Sequence, residues 1–173
     1  TYGDKGDRNW LRKIEGIEVL PAYENRPTPR GRLVRLLKSF SLPWAMGSEL
    51  SAVDLYKSNQ IMGAWVGVVS KLRFRKPLLV RCGYELSEFN RLGRVKWWRQ
   101  LGGLALSFLS YQLADRIHVS TLDDKKIVGK RFRVPQHKIY VQPNWVDTEA
   151  FSPSSDQSKR RNGILFLGRF TNQ

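Results

Sequence analysis

The chain has 173 residues, 41% hydrophobic and 26% charged, enough for one ordinary domain or slightly more with a real core. One cysteine, Cys82, excludes an intrachain disulfide, and together with two histidines it excludes a zinc cluster built from Cys and His alone. No run of about 18 apolar residues occurs, so no transmembrane helix is expected, and a net charge of +15 points to polyanionic partners: nucleic acid, anionic lipid headgroups or phosphorylated small molecules.

The chain opens on Thr1-Tyr2-Gly3-Asp4, with neither Met nor a signal-peptide pattern, and reads as a piece of a longer protein. Ile17 to Leu20 alternates and stops at Pro21, which predicts a short strand. Tyr23 to Arg32 carries Pro27, Pro29 and Gly31 and reads as loop. The apolar residues Leu33, Leu36, Leu37 and Phe40 then fall at helical spacing.

A clearer pattern follows. Ala52 to Asn59 reads as a strand with a polar exit. Ile61 to Phe74 reads as a helix ended by Lys76-Pro77. Leu78 to Cys82 reads as a short apolar strand before Gly83. Apolar strands separated by helices argue for a parallel sheet with both faces covered.

Leu86 to Gln112 reads as mostly helical, with a break near Gly93 or at Gly102-Gly103. Trp97, Leu101, Leu104, Phe108 and Tyr111 form the expected buried stripe. Ile117 to Thr121 is the next strand. Ser120 or Thr121 caps the following helix, with Asp123 and Asp124 in its first turn. That helix ends before Pro135, and Lys138 to Val141 is a further strand. Ser152 to Asn162 has linker composition, and Gly163 to Gly168 is a new apolar strand ending in Gly.

In this order, "ADRIHVST" (114–121), "VPQHKIYVQPNWVDTEAFSP" (134–153) and "ILFLGRF" (164–170) resemble the domain junction of family 4 glycosyltransferases. Those are retaining, metal-independent enzymes of the GT-B fold, with two Rossmann-like domains facing each other across a cleft. The resemblance is detailed over the last third of the chain and looser over the βαβ pattern from Val53 to Gly83. It implies that residues 1–151 are an N-terminal acceptor domain lacking its first strand and Gly-rich loop. Residues 152–162 would be the linker, and residues 163–173 the first strand of a donor-binding domain.

The resemblance also implies roles for individual residues. Asn59, Arg81, Cys82, Gly83 and Glu85 stand on two loops that would meet the acceptor, with Asn59 and Cys82 where the family often has His. Read without the family, Arg81 and Glu85 are an Arg and a Glu beside a strand end, able to pair with each other. Cys82 reads as a buried small residue. Gly168 and Arg169 match the family's "GR", whose Arg helps bind the donor diphosphate; a guanidinium suits that by two-point contact with phosphate oxygens. Asn144, Trp145 and Asp147 mark the interdomain junction. Asn144 and Asp147 are expected to bond nearby backbone and fix the turn. The family commonly has Gly where Trp145 stands, and Trp does not share glycine's access to positive φ. The turn is therefore shaped differently or Trp145 lines the cleft. No residue is singled out as catalytic, no metal or cofactor is expected, and a nucleotide sugar is the implied donor.

Nine Lys or Arg against Glu85 and Glu88 lie between Lys71 and Arg99. Trp97 and Trp98 stand among Arg91, Arg94, Lys96 and Arg99, a mixture used by peripheral membrane helices. Arg94, Lys96, Trp98 and Arg99 are the candidate membrane-facing residues; alternatively Trp97 belongs to the buried stripe and the cations are solvated.

The expected fold is α/β, a Rossmann-like parallel sheet with helices on both faces. The expected function is sugar transfer, with retention, to a glycan or lipid-linked acceptor, in a cytoplasmic or inner-leaflet setting. Two alternatives carry different chemistry. A basic nucleic-acid-binding α/β module would use the same charge with aromatic stacking, although no nucleic-acid motif occurs and no such partner is expected. A GT-B sugar-nucleotide epimerase would share the fold.

Overall fold

The computed structural model describes residues 16, 18–23, 31–85, 96–150 and 152, without the side chains of residues 32, 33, 35 and 36. Three short helices come first: α1 (Arg32–Ser39), α2 (Leu42–Ala45) and α3 (Gly47–Ala52). A regular alternation follows: β1 (Tyr56–Ser58), α4 (Ile61–Phe74), β2 (Leu78–Cys82), α5 (Trp97–Leu113), β3 (Arg116–Val119), α6 (Leu122–Arg131) and β4 (Ile139–Val141). A 3-10 turn, Gln136–Lys138, leads into β4.

The four strands form one parallel sheet in the order β1-β2-β3-β4. The sequence-based reading of a Rossmann-like α/β sheet therefore holds, with α4 and β2 at the expected bounds; of the two covered faces expected, the described crossover helices α4, α5 and α6 all cover one. Three other expectations shift. Ala52 to Asn59 is not one strand, because α3 runs to Ala52 and only Tyr56–Ser58 pairs. Residues 18–20 take no regular structure. Helix α5 passes unbroken through Gly102-Gly103, since neither glycine has a positive φ.

Burial alternates along the sheet as the two-residue strand period demands. Leu78, Val80, Cys82, Ile117, Val119 and Ile139 point into the core with α4, Tyr111 and Val128. Each crossover steps one strand in the same direction, so right-handed connections put α4, α5 and α6 on this face. Helices α4 and α5 pack on each other, which lets α5 approach through small residues, Gly103, Ser107 and Ser110. On the reverse face, Leu79, Arg81 and His118 are half-buried, and Lys57, Arg116 and Tyr140 are exposed.

The buried stripe expected on α5 is corrected by this packing. Tyr111 is fully buried and Leu104 half-buried, but Trp97, Leu101 and Phe108 are exposed. The helix meets α4 through its small side chains, and Trp97, Leu101 and Phe108 turn outward.

Chain ends of the strands are secured locally. Thr121 caps α6 as expected: its Oγ1 accepts from the Asp124 amide at 3.0 Å and donates to the Asp124 carboxylate at 2.7 Å. At the opposite edge of the sheet, Asp115 Oδ2 accepts from Lys71 Nζ at 2.6 Å and from the Leu78 amide at 2.7 Å. This joins the end of α4 to the starts of β2 and β3. Among the described residues no helix is long and apolar enough to cross a membrane.

Candidate functional site

In an open parallel sheet, ligands bind outside the carboxyl ends of the strands, where the loops gather. Four exits form that rim here: Ser58-Asn59-Gln60, Cys82-Gly83-Tyr84-Glu85, Ser120-Thr121 and Gln142-Pro143-Asn144-Trp145. Each leaves a strand at the same edge, so residues far apart in sequence are brought side by side.

Arg81 and Asn144 are joined directly. Arg81, next to last in β2, sends Nη2 to Asn144 Oδ1 at 2.8 Å. The bond passes the intervening strand β3, whose His118 lies level with Arg81 in the ladder. It ties the predicted acceptor loop to the predicted junction. The Asn144 amide is therefore used by Arg81 rather than by its own turn. The turn after it is set by Asp147, whose Oδ1 accepts from the amides of Glu149 and Ala150, both at 3.0 Å. Trp145 stays out of the left-handed region and is 83% exposed. The chain thus avoids the glycine-type turn and leaves the indole beside the rim.

The other predicted residues divide. Asn59 is exposed at the exit of β1. Gly83 is exposed, and a Cβ there would meet Ser120 Oγ only at 4.0 Å, so the gap between the β2 and β3 exits is open. Cys82 is buried, and its thiol donates to the Tyr84 carbonyl at 2.7 Å. Desolvation is the main reason its pKa is pushed up to about 11, outweighing its hydrogen bonds. A thiol held protonated in this way is neither a nucleophile nor a ligand near neutral pH.

Glu85 does not pair with Arg81 or face an open rim. It is 2% exposed and accepts from Ser107 Oγ of α5 at 3.0 Å. The carboxylate anchors the β2 exit loop to the helix. Of the candidate membrane residues, Lys96, Trp98 and Arg99 are described, and all three are exposed. Arg94, Gly168 and Arg169, residues 153–162 of the linker and the last predicted strand lie outside the described residues.

A cleft of about 1000 Å³ opens beside the β1 exit. Its walls include Met46, Leu50, Leu55, Met62 and Trp65, and its polar end is Lys57, Ser58, Asn59 and Gln60. The Ser58 and Ser70 hydroxyls border it without a hydrogen-bond partner. Sequence reasoning marked the loop Ser58-Asn59-Gln60 and, within it, Asn59 as the site residue. Helix α4 starts here with no acid in its first turn and no side-chain cap from Gln60. Helix α6, by contrast, starts with Asp123 and Asp124. Anions are accordingly favoured at the β1 exit over the β3 exit. Among the described residues no three His, Cys, Asp or Glu side chains gather as a metal site.

In fold, the chain is similar to a crystal structure of Alr3699/HepE from Anabaena in complex with UDP and glucose. The TM-score is 0.61 at 18% identity, over 89% of this chain and 38% of that one.

The likeness is one of fold, a Rossmann-like parallel α/β arrangement, and it covers well under half of the larger protein. No family model and no curated protein matches the chain. The rim therefore has to be judged on its own groups. Its described groups are a guanidinium, side-chain amides and hydroxyls, with the thiol held protonated and Glu85 buried. Such a rim binds hydroxyls and phosphates by hydrogen bonds and charge, and its four described exits carry no exposed carboxylate or imidazole.

Proposed function

We propose that this chain is the acceptor-binding part of a glycosyltransferase that moves a sugar from a nucleotide sugar to a glycan or lipid-linked acceptor. The observation that carries the reading is the Arg81–Asn144 bond, which joins an acceptor-side strand exit to the junction segment across β3. The fold likeness to a protein bound to UDP and glucose supports a nucleotide-sugar donor. The open rim and the cleft beside Asn59 support a polyhydroxylated acceptor.

The organisation proposed is an acceptor domain over residues 1–151, a linker over 152–162, and the start of a donor domain over 163–173. Gly168 and Arg169 would meet the donor diphosphate. In a retaining transfer the bond from the anomeric carbon to the diphosphate oxygen breaks, and the diphosphate leaves with the electron pair. The acceptor oxygen attacks from the same face, and its proton passes to the leaving phosphate. The negative charge develops on the diphosphate, where an arginine stabilises it without a metal ion.

The test is sugar transfer by the full-length protein, using a panel of nucleotide sugars with glycan and lipid-linked acceptors. Donor-dependent product with the anomeric configuration kept supports the reading. Tight, salt-sensitive oligonucleotide binding with no donor turnover would overturn it in favour of a nucleic-acid module. Conversion of a nucleotide sugar to its epimer without an acceptor would overturn it in favour of an epimerase.

A further inference from the structure

Helix α5 is apolar on the wrong side for a core helix. Its buried residues are Gly103, Ser107, Ser110 and Tyr111, while Trp97 is 72% exposed and Trp98 56%. Leu101, Phe108 and Leu109 are about half exposed as well. At 3.6 residues per turn, Trp97, Leu101 and Phe108 fall within roughly 40° of one another, and Trp98 and Leu109 adjoin them. The five side chains make one outward apolar stripe along the helix. Soluble surfaces scatter single apolar residues, and a contiguous patch marks a binding face.

The charge around the stripe selects its partner. Lys96 stands at the N-cap, and the Arg99 guanidinium lies over the Trp98 ring at 5.7 Å. The sequence of α5 contains no acid, and the whole chain carries +15. A second copy would bring two stripes of the same sign together, which like-charge contact disfavours. A nucleic acid needs a cation-lined groove, whereas here five large apolar side chains accompany two cations. An anionic bilayer satisfies both features. Indole rings settle at the headgroup level, leucines and phenylalanine reach the acyl boundary, and Lys and Arg meet lipid phosphates. At 17 residues with Gly102 and Gly103 in its middle, α5 lies along the surface rather than across it.

We infer that α5 is a peripheral membrane-docking helix that lays Trp97, Trp98, Leu101, Phe108 and Leu109 onto an anionic lipid surface. This goes beyond the proposed sugar transfer and does not depend on it.

The test is flotation of the full chain with vesicles of phosphatidylcholine, alone or mixed with phosphatidylglycerol, at low and high salt. Binding to the anionic vesicles is expected, weakened by salt, with tryptophan fluorescence quenched by shallow brominated lipids. Trp97→Ser/Trp98→Ser should abolish it. Lys96→Glu/Arg99→Glu should lower anionic partitioning about tenfold or more, because each basic residue near such a surface contributes on the order of fivefold. All four positions are at the surface, and circular dichroism verifies that each variant folds; if the tryptophan pair fails, the charge pair still decides. No binding to anionic vesicles at low salt overturns the inference, as does undiminished binding by a folded variant. Self-association or oligonucleotide binding that these substitutions remove, without vesicle binding, also overturns it.

Discussion

Arg81 on β2 and Asn144 just past β4 lie 63 positions apart, at strands that do not pair with each other, yet their side chains meet at 2.8 Å over the carboxyl edge of the sheet. The contact makes the β2 exit and the β4 exit one unit. It also sets the direction of the segment that carries Trp145 away from the sheet.

On the function proposed, breaking that contact should damage sugar transfer more than stability. The bond is exposed, so Arg81→Ala is expected to cost less than about 1 kcal/mol of unfolding free energy. Acceptor turnover by the full-length protein should fall about tenfold or more, since misplacing a positioning group by an ångström has effects of that size. Asn144→Ala should lose nearly the same, and the double variant little beyond either single one. Urea unfolding alongside initial rates checks this; additive losses in rate would mean the two residues act separately.

Helix α4 approaches β2 too closely for any side chain at Gly67. A Cβ there would stand 2.8 Å from Leu78 Cδ1, and Leu78 is fully buried. Gly67→Ala gains helix propensity of about 1 kcal/mol but must push the helix or Leu78 aside, at roughly 1–3 kcal/mol. Net destabilisation is expected, and Gly67→Val should be worse. A folded Gly67→Val with an unchanged unfolding midpoint would show that the helix moves freely.

The strand–helix alternation was legible because α4 and β2 have clean periods and hard stops at Lys76-Pro77. The stripe on α5 was not. Trp97, Leu101, Leu104, Phe108 and Tyr111 have helical spacing, but spacing says only that they share a side, not which side is covered. The covering was decided by the small residues Gly103, Ser107 and Ser110, which permit close approach to α4. Arg81 and Asn144 were both marked from sequence, on separate grounds. Their meeting needed the strand order, which places only β3 between them. Ser58 lay in a loop marked from sequence but its hydroxyl was not singled out, and Ser70 left no signal, since a serine in a strand or helix looks the same with or without a partner.

Cys82 should resist alkylation in the folded chain near neutral pH, because burial keeps its thiol protonated. A raised folded pKa means stability is intact below the ordinary value of 9.0 and is lost as pH rises toward about 11. Over that window the thiol should account for roughly 1–3 kcal/mol of lost stability. Cys82→Ala should flatten that part of the stability curve while costing something at neutral pH for the cavity. Iodoacetamide labelling with and without urea, and unfolding across alkaline pH, test the two halves. Rapid native labelling would show that the thiol is not enclosed.

Asp115 predicts the opposite pH dependence. Desolvation raises its pKa, but the hydrogen bonds from Lys71 and the Leu78 amide, with the charges of Lys71 and Lys138, outweigh it and hold the carboxyl below 3.8. A lowered folded pKa gives stability that is present above the ordinary carboxylate value and lost as pH falls through the folded one. The side chain is 47% exposed, so screening limits the ion pair to about 0.5–1 kcal/mol. Asp115→Asn should be less stable by that amount near neutral pH and should converge with the parent chain in acid. Because Asp115 sits at the amino ends of the strands, opposite the rim, its loss should leave acceptor turnover at moderate temperature unchanged. A rate defect in folded Asp115→Asn would place this edge of the sheet in the functional machinery.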